Sequence, residues 1–227
     1  TVDFRLGDLD LTAINADKTF HFNPSLSFTV NFNAADDKTT RDMDNLWDSL
    51  SEDGIVIMPL REYDFAVYYG WVQDKYGLSW QLMYIDEIDQ PKSMIVPSLQ
   101  FGAAVQNLAS DAIDYYVSTF DDASRGDEFT YGEMTGPALA ESLAFAEFTL
   151  LDQPFIANDA GVDQDYSFTE AFSFAVTCKD QAEIDYLWQK LSAHPEKEQC
   201  GWCKDKFGIS WQIIPENMGE LMQKPGA

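Results

Sequence analysis

The chain has 227 residues, with 39 Asp plus Glu against 14 Lys plus Arg and a formal net charge of −25 at pH 7. Such acidity excludes the clustered cations that nucleic-acid phosphates or an anionic membrane surface require, and it reads as the solvated surface of a cytoplasmic protein. No apolar run approaches the ~18 residues of a membrane span, while 45% hydrophobic and 14% aromatic residues suffice for a packed core.

Residues 1–16 read as a hairpin. Val2, Phe4 and Leu6 on one side, and Leu9, Leu11 and Ala13 on the other, flank a Gly7-Asp8 turn. A strand–helix–strands unit follows over 19–84. Leu26, Phe28 and Val30 alternate with Ser25, Ser27 and Thr29, giving a strand with one bulky face and one small, polar face. Met43, Leu46, Trp47 and Leu50 stand at helical spacing, and Thr39 with Asp42 is a weak capping pair. Asp74-Lys75-Tyr76-Gly77 is a hairpin loop. Pairing Gln73 with Leu78 places Trp71 opposite Trp80, both packed against the helix. The polar stretch 85–93 contains Pro91 and forms a link.

A second unit spans 94–159. Leu99 and Phe101 mark a strand, and Ala109, Ala112, Ile113, Tyr116, Val117 and Phe120 form a helical stripe. Ala144, Ala146, Phe148 and Leu150 alternate as a strand, with a return strand at 155–157. The third unit, 166–215, repeats the first. Phe172, Phe174 and Val176 alternate with Ala171, Ser173 and Ala175. Ile184, Leu187, Trp188 and Leu191 repeat the helical stripe behind an Asp180/Glu183 capping box. The segment from Gly70-Trp71 to Ser79-Trp80-Gln81-Leu82 returns as Gly201-Trp202 to Ser210-Trp211-Gln212-Ile213. The same loop pairing places Trp202 opposite Trp211.

Five sets of residues carry a resemblance: Gln199-Cys200-Gly201-Trp202, Asp205-Lys206-Phe207-Gly208, Ser210 to Pro215, Asp185 with Leu187-Trp188, and Pro97-Ser98-Leu99 with Ala112 to Tyr116. In these the chain resembles the vicinal oxygen chelate superfamily of glyoxalase I, bleomycin-resistance proteins and extradiol dioxygenases. Within it, the chain is similar to the PhnB-like branch, labelled 3-demethylubiquinone-9 3-methyltransferase-like. The resemblance implies an α+β fold in which tandem βαβββ modules pair into two curved-sheet cups. Residues 1–84 would be a first glyoxalase-like domain lacking its opening βαβ segment, and 85–93 a linker. Residues 94–215 would be a second, complete glyoxalase-like domain, and 216–227 a tail. Either a native N-terminal segment outside this sequence or a partner chain, as in a homodimer, would complete the first cup.

In metal-using relatives the resemblance implies a Glu four residues after the loop glycine. The positions here hold Gln81 and Gln212, and the early-strand ligand positions near Ser25, Val96 and Ala171 hold no histidine. His21 and His194 fall one to each cup, too few for a two-histidine iron site. No metal, cofactor or catalytic residue is assigned. A glycine-rich, nucleotide-cradling loop is absent, and His194 alone supports no Ser-His-Asp arrangement. Strand parity with Gln81 and Gln212 lines the first cup with Ser27, Thr29, Ser79 and Gln81, and the second with Ser98, Gln100, Ser173, Ser210 and Gln212. Tyr63 and Phe65 are candidates to fold over the first cup. Three cysteines argue against a disulfide scaffold. Parity sets Cys203 on the Gln212 face and Cys200 on the other, against both a disulfide and a redox Cys-x-x-Cys site.

The expected function is the binding of a small, uncharged or mildly polar molecule in a cup, with the reaction unassigned. The alternatives are a metal-dependent lyase or isomerase of the glyoxalase type, and a non-catalytic assembly protein whose cups serve as dimer surfaces.

Overall fold

A computed structural model describes residues 1–33, 37–85 and 93–218. Most of the 85–93 link and the end of the tail lie outside the described residues. The chain forms two compact units, Thr1–Ser167 and Phe168–Ala227. The architecture is α+β, with large curved sheets and few helices. Among the described residues, no helix is long and apolar enough to cross a membrane.

The first unit opens with the expected hairpin, β1 (Val2–Leu6) and β2 (Leu9–Ala13), in the register Leu6↔Leu9 to Val2↔Ala13. Gly7 adopts the positive φ of 61° that the turn demands. The next elements are β3 (Leu26–Asn33), α1 (Asp37–Ser51), β4 (Ile55–Tyr63), β5 (Ala66–Gln73) and β6 (Ser79–Ile85). They are followed by β7 (Ile95–Phe101), α2 (Ala109–Thr119), β8 (Ala123–Thr130), β9 (Leu143–Leu150) and β10 (Gln153–Asp159). Together the strands build one eight-stranded sheet in the order β4-β5-β6-β3-β7-β10-β9-β8.

Two strand–helix–strands modules meet at the antiparallel pair β3·β7, where Ser27 faces Ser98 and Leu26 faces Leu99. The structure therefore divides the chain differently from the expected 1–84 and 94–215. Residues 94–159 complete the sheet that β3 begins. The physical reason is a continuous apolar face, in which Leu26, Phe28 and Val30 of β3 run on into Leu99 and Phe101 of β7, all buried. The helices cover this face, α1 over β3–β6 and α2 over β8–β10. Met43 of α1 and Ala109, Ala112, Ile113 and Tyr116 of α2 are buried there. Phe148 stacks between Tyr116 (6.4 Å) and Phe155 (5.1 Å). Burying each such large side chain stabilises by about 1.5–3 kcal/mol. Gly70 in β5 is required by close approach, since a Cβ there would lie 2.5 Å from the Trp47 ring of α1.

The second unit holds β11 (Phe174–Cys178), α3 (Gln181–Leu191), β12 (Trp202–Lys204) and β13 (Ser210–Pro215). They form a three-stranded sheet in the order β11-β13-β12. Asp180 caps α3 by accepting from the Glu183 amide at 3.0 Å, and the Glu183 carboxylate accepts from the Lys179 amide at 2.8 Å. Leu187 and Leu191 turn into the core.

The hairpin register departs from expectation in both units. Gln73 pairs with Ser79, not Leu78, so Trp71 faces Gln81 and Val72 faces Trp80. Likewise Trp202 faces Gln212, and Cys203 faces Trp211. A one-residue change of register turns a side chain to the opposite face. Trp71 and Trp80 therefore lie on opposite faces, as do Trp202 and Trp211. The cause is the loop's first residue. The Asp74 carboxylate accepts from the amides of Tyr76 (2.9 Å) and Leu78 (3.0 Å) and from the Trp80 indole (3.0 Å). Asp205 does the same for Phe207 (2.9 Å), Ile209 (3.0 Å) and Trp211 (2.8 Å). A five-residue loop closed in this way fixes the ladder one residue later.

Candidate functional site

The polar face of the eight-stranded sheet lies opposite the helices and is centred on β6, β3 and β7. Register places Ser27 beside Ser79 and Ser98, and Thr29 beside Gln81. Ser27, Thr29, Ser79, Ser98 and Gln100 are buried, and Gln81 is half-buried. The side chains bond to one another. The Thr29 and Ser98 hydroxyls are 2.6 Å apart, and the Gln81 Nε2 donates to the Ser27 Oγ at 2.7 Å. Ser98 and Gln100, expected beside Ser173, Ser210 and Gln212, thus belong to the same face as Thr29.

Two donors from β5 close this network, both displaced onto this face by the hairpin register. The Tyr69 hydroxyl donates to Gln81 Oε1 at 2.7 Å, and the Trp71 indole donates to Ser79 Oγ at 2.7 Å. Burial raises the Tyr69 hydroxyl well above the ordinary tyrosine value, so it remains a donor. Tyr63 meets Tyr69 edge-on at 5.9 Å and stacks with Phe65 at 5.3 Å, which places this aromatic group at the β4 side of the polar face. Asn31, two residues beyond Thr29, has a buried Oδ1 with no donor. Tyr69, Trp71 and Asn31 escape a reading by residue type. For Trp71 the return of Gly70-Trp71 as Gly201-Trp202 was the available signal; Tyr69 and Asn31 had none.

In the second unit, Gln212 Nε2 donates to Ser173 Oγ at 2.8 Å, repeating the Gln81–Ser27 bond. Ser210 is buried, and its Oγ has no partner. The sheet of this unit presents Trp202 opposite Gln212.

At Gln81 the residues do not fit a divalent cation. Its carbonyl oxygen is held by Tyr69 and its amide nitrogen by Ser27. Among the described residues, no group of His, Cys, Asp and Glu could hold a metal ion. His194 instead lies 3.4 Å from the Glu196 carboxylate, and His21 is exposed.

The cysteines form no disulfide. Cys203 faces Trp211, away from Gln212, which corrects the parity expectation. Cys200 precedes β12 in a positive-φ turn (50°), so it has no strand face at all. Burial, aided by Asp205 and Glu198, pushes the Cys203 thiol up to about 12, the reverse of what a redox thiol needs.

A family model described as 3-demethylubiquinone-9 3-methyltransferase matches residues 1–83 and 93–214. Curated proteins give no match. Among solved structures, a chain described as a putative 3-demethylubiquinone-9 3-methyltransferase, PhnB protein, from Bacillus cereus is 32% identical; the match covers 52% of this chain and 95% of that one, with a TM-score of 0.44. A protein from Staphylococcus aureus is 27% identical over 52% of this chain and 93% of its own, with a TM-score of 0.23. Glyoxalase I from Zea mays is 11% identical over 88% of this chain and 71% of its own, with a TM-score of 0.48.

Proposed function

The chain belongs to the PhnB-like family of the glyoxalase superfamily, described as 3-demethylubiquinone-9 3-methyltransferase, and from that premise we propose that it binds a small, uncharged or mildly polar molecule on its polar sheet faces. The ligand-facing residues would be Ser27, Thr29, Ser79, Gln81, Ser98 and Gln100 in the first unit, with Tyr63 at the margin. In the second they would be Ser173, Ser210 and Gln212. One observation carries the reading: a row of hydroxyls and amides, with no lysine or arginine among them, lies on a face turned away from the helices. Such groups orient a neutral ligand by hydrogen bonding. The methyl-transfer chemistry in the family description is not carried over. The junctions from β7 to α2 and from β11 to α3 contain a single glycine, Gly102, where a nucleotide-cradling loop needs several. Three free cysteines suit the reducing cytoplasm proposed as its location.

A thermal-shift screen of small aromatics and phosphonates tests the proposal. A ligand at a hundred times its Kd stabilises by about 2.7 kcal/mol, a shift of several degrees. Silence across the panel would sink it.

One further observation favours an assembly role. Edge strand β4 exposes Ile55 (65%) and Val56 (46%), and Phe65 in the turn after it and Val67 at the start of β5 are exposed as well. An apolar edge of this kind is a site for strand pairing or dimerisation. Sedimentation that shows a monomer at high protein concentration would remove this reading.

A further inference from the structure

The two copies of the loop segment differ in one respect that bears on recognition. In the first, the Gln and Ser of the polar face are each given a donor by the protein itself. Tyr69 donates to Gln81 Oε1, and Trp71 donates to Ser79 Oγ. In the second, the residue before the shared glycine is Cys200 in place of Tyr69, so the phenol is missing. Gln212 keeps its bond to Ser173, but its Oε1 receives no donor among the described residues. Trp202 occupies the ladder position of Trp71, opposite the glutamine, yet its indole makes no bond to Ser210. Ser210 is only 3% exposed, and its Oγ is buried without a partner. A buried polar group left in this state is destabilising, and a ligand that satisfies it recovers that loss.

We infer that the Ser210/Gln212 face of the second unit is the recognition site, and that its ligand is a small aromatic carrying an N–H or O–H donor, of the phenol or indole kind. The single O–H or N–H of such a molecule supplies to Gln212 Oε1 what Tyr69 supplies internally to Gln81, and a phenol oxygen accepts in turn from the unpartnered Ser210 hydroxyl. The half-buried Trp202, paired with Gln212 across the ladder, offers it a stacking surface. The first copy has these two groups partnered by its own side chains. The inference rests on the binding reading above and narrows it to one copy.

The test titrates the full chain with phenol and with indole, read by calorimetry. Tryptophan fluorescence of the phenol complex gives a second readout. Expected are one saturable site per chain, at least a tenfold weaker Kd for Ser210→Ala and for Gln212→Leu, and loss of the fluorescence change in Trp202→Phe. Ser210→Ala removes only the unpartnered hydroxyl, so it guards against a folding failure of Gln212→Leu. The double variant Tyr69→Phe/Trp71→Phe should expose the first copy's acceptors and raise the stoichiometry to two. Binding that survives both second-unit variants overturns the inference. So does binding that is lost instead with Asn31→Ala, which would leave the wider proposal of a polar-face ligand standing. No saturable site for either probe overturns the inference alone, because the wider proposal is decided by the panel.

Discussion

The indole N–H of Trp211 donates to the fully buried carboxylate of Asp205 at 2.8 Å, and the same carboxylate accepts the amides of Phe207 and Ile209. One side chain therefore sets the loop length, the β12–β13 register and the face on which Trp211 packs. Asp205→Ala should cost about 2–4 kcal/mol, because several donors lose a charged acceptor at once. Asp74→Ala should cost less, about 1–2 kcal/mol, since Asp74 is only half-buried. Asp205→Asn should fall between, its carbonyl still serving the loop amides. Urea unfolding curves give the ranking, and equal losses at 74 and 205 would contradict it.

Gly70→Ala should destabilise the first unit by about 1–3 kcal/mol through overpacking. Its Cβ would stand 2.5 Å from the Trp47 ring and 3.0 Å from Leu60. Replacing Trp47 by Leu removes the nearer clash, so the double mutant should recover part of the loss. A double-mutant cycle showing strict additivity would rule out this contact as the cause.

Glu170 gives the second unit an acid-sensitive contact. Burial opposes its charge, but hydrogen bonds from Lys197 and Lys204 outweigh that and hold the carboxyl at about 2, below its ordinary 4.5. A depressed carboxylate stabilises the fold above its unfolded value, and that contribution is lost as pH falls from about 4.5 towards 2. Both Lys197 and Glu170 are partly exposed, so solvent screening leaves the contribution near 1 kcal/mol. Glu170→Gln should lower stability by that amount at pH 7 and leave it unchanged at pH 2. Melting curves across this range would show the wild type and variant converging in acid.

Native alkylation at pH 8 should label Cys200 alone. Cys178 and Cys203 are buried, and burial, reinforced by nearby carboxylates, pushes their thiols up to about 11 and about 12. Intact mass should show one adduct on the native chain and three in denaturant. Fast modification of Cys203 in the folded chain would contradict the β12 packing.

Much of the fold lies in the periodicity of bulky residues. Leu26/Phe28/Val30, Ala112/Ile113/Tyr116 and Ala146/Phe148/Leu150 fall where alternation and helical spacing place them, because burial drives both patterns. The polar face was legible for the same reason, since Ser27 and Thr29 are the complement of that alternation. Three features were not. The hairpin register depends on a side chain gripping loop amides, which leaves no trace in hydrophobic spacing. Strand β4 opens with the run Ile55-Val56-Ile57, and β8 is mostly polar, so neither alternates cleanly. The choice of β7 as the partner of β3 is a tertiary decision among similar first strands, and local pattern does not distinguish them.

The β3·β7 seam pairs five residues of each strand, from Leu26↔Leu99 to Val30↔Ile95, and carries the Thr29–Ser98 hydroxyl contact. The covalent link between Ile85 and Ser93 is therefore one of several ties between the two modules. Residues 1–85 and 93–167 are thus expected to stay associated after a cut in that link, held by the shared β3·β7 ladder. A change at Thr29 therefore reaches Ser98 in the neighbouring module through the hydroxyl contact they share.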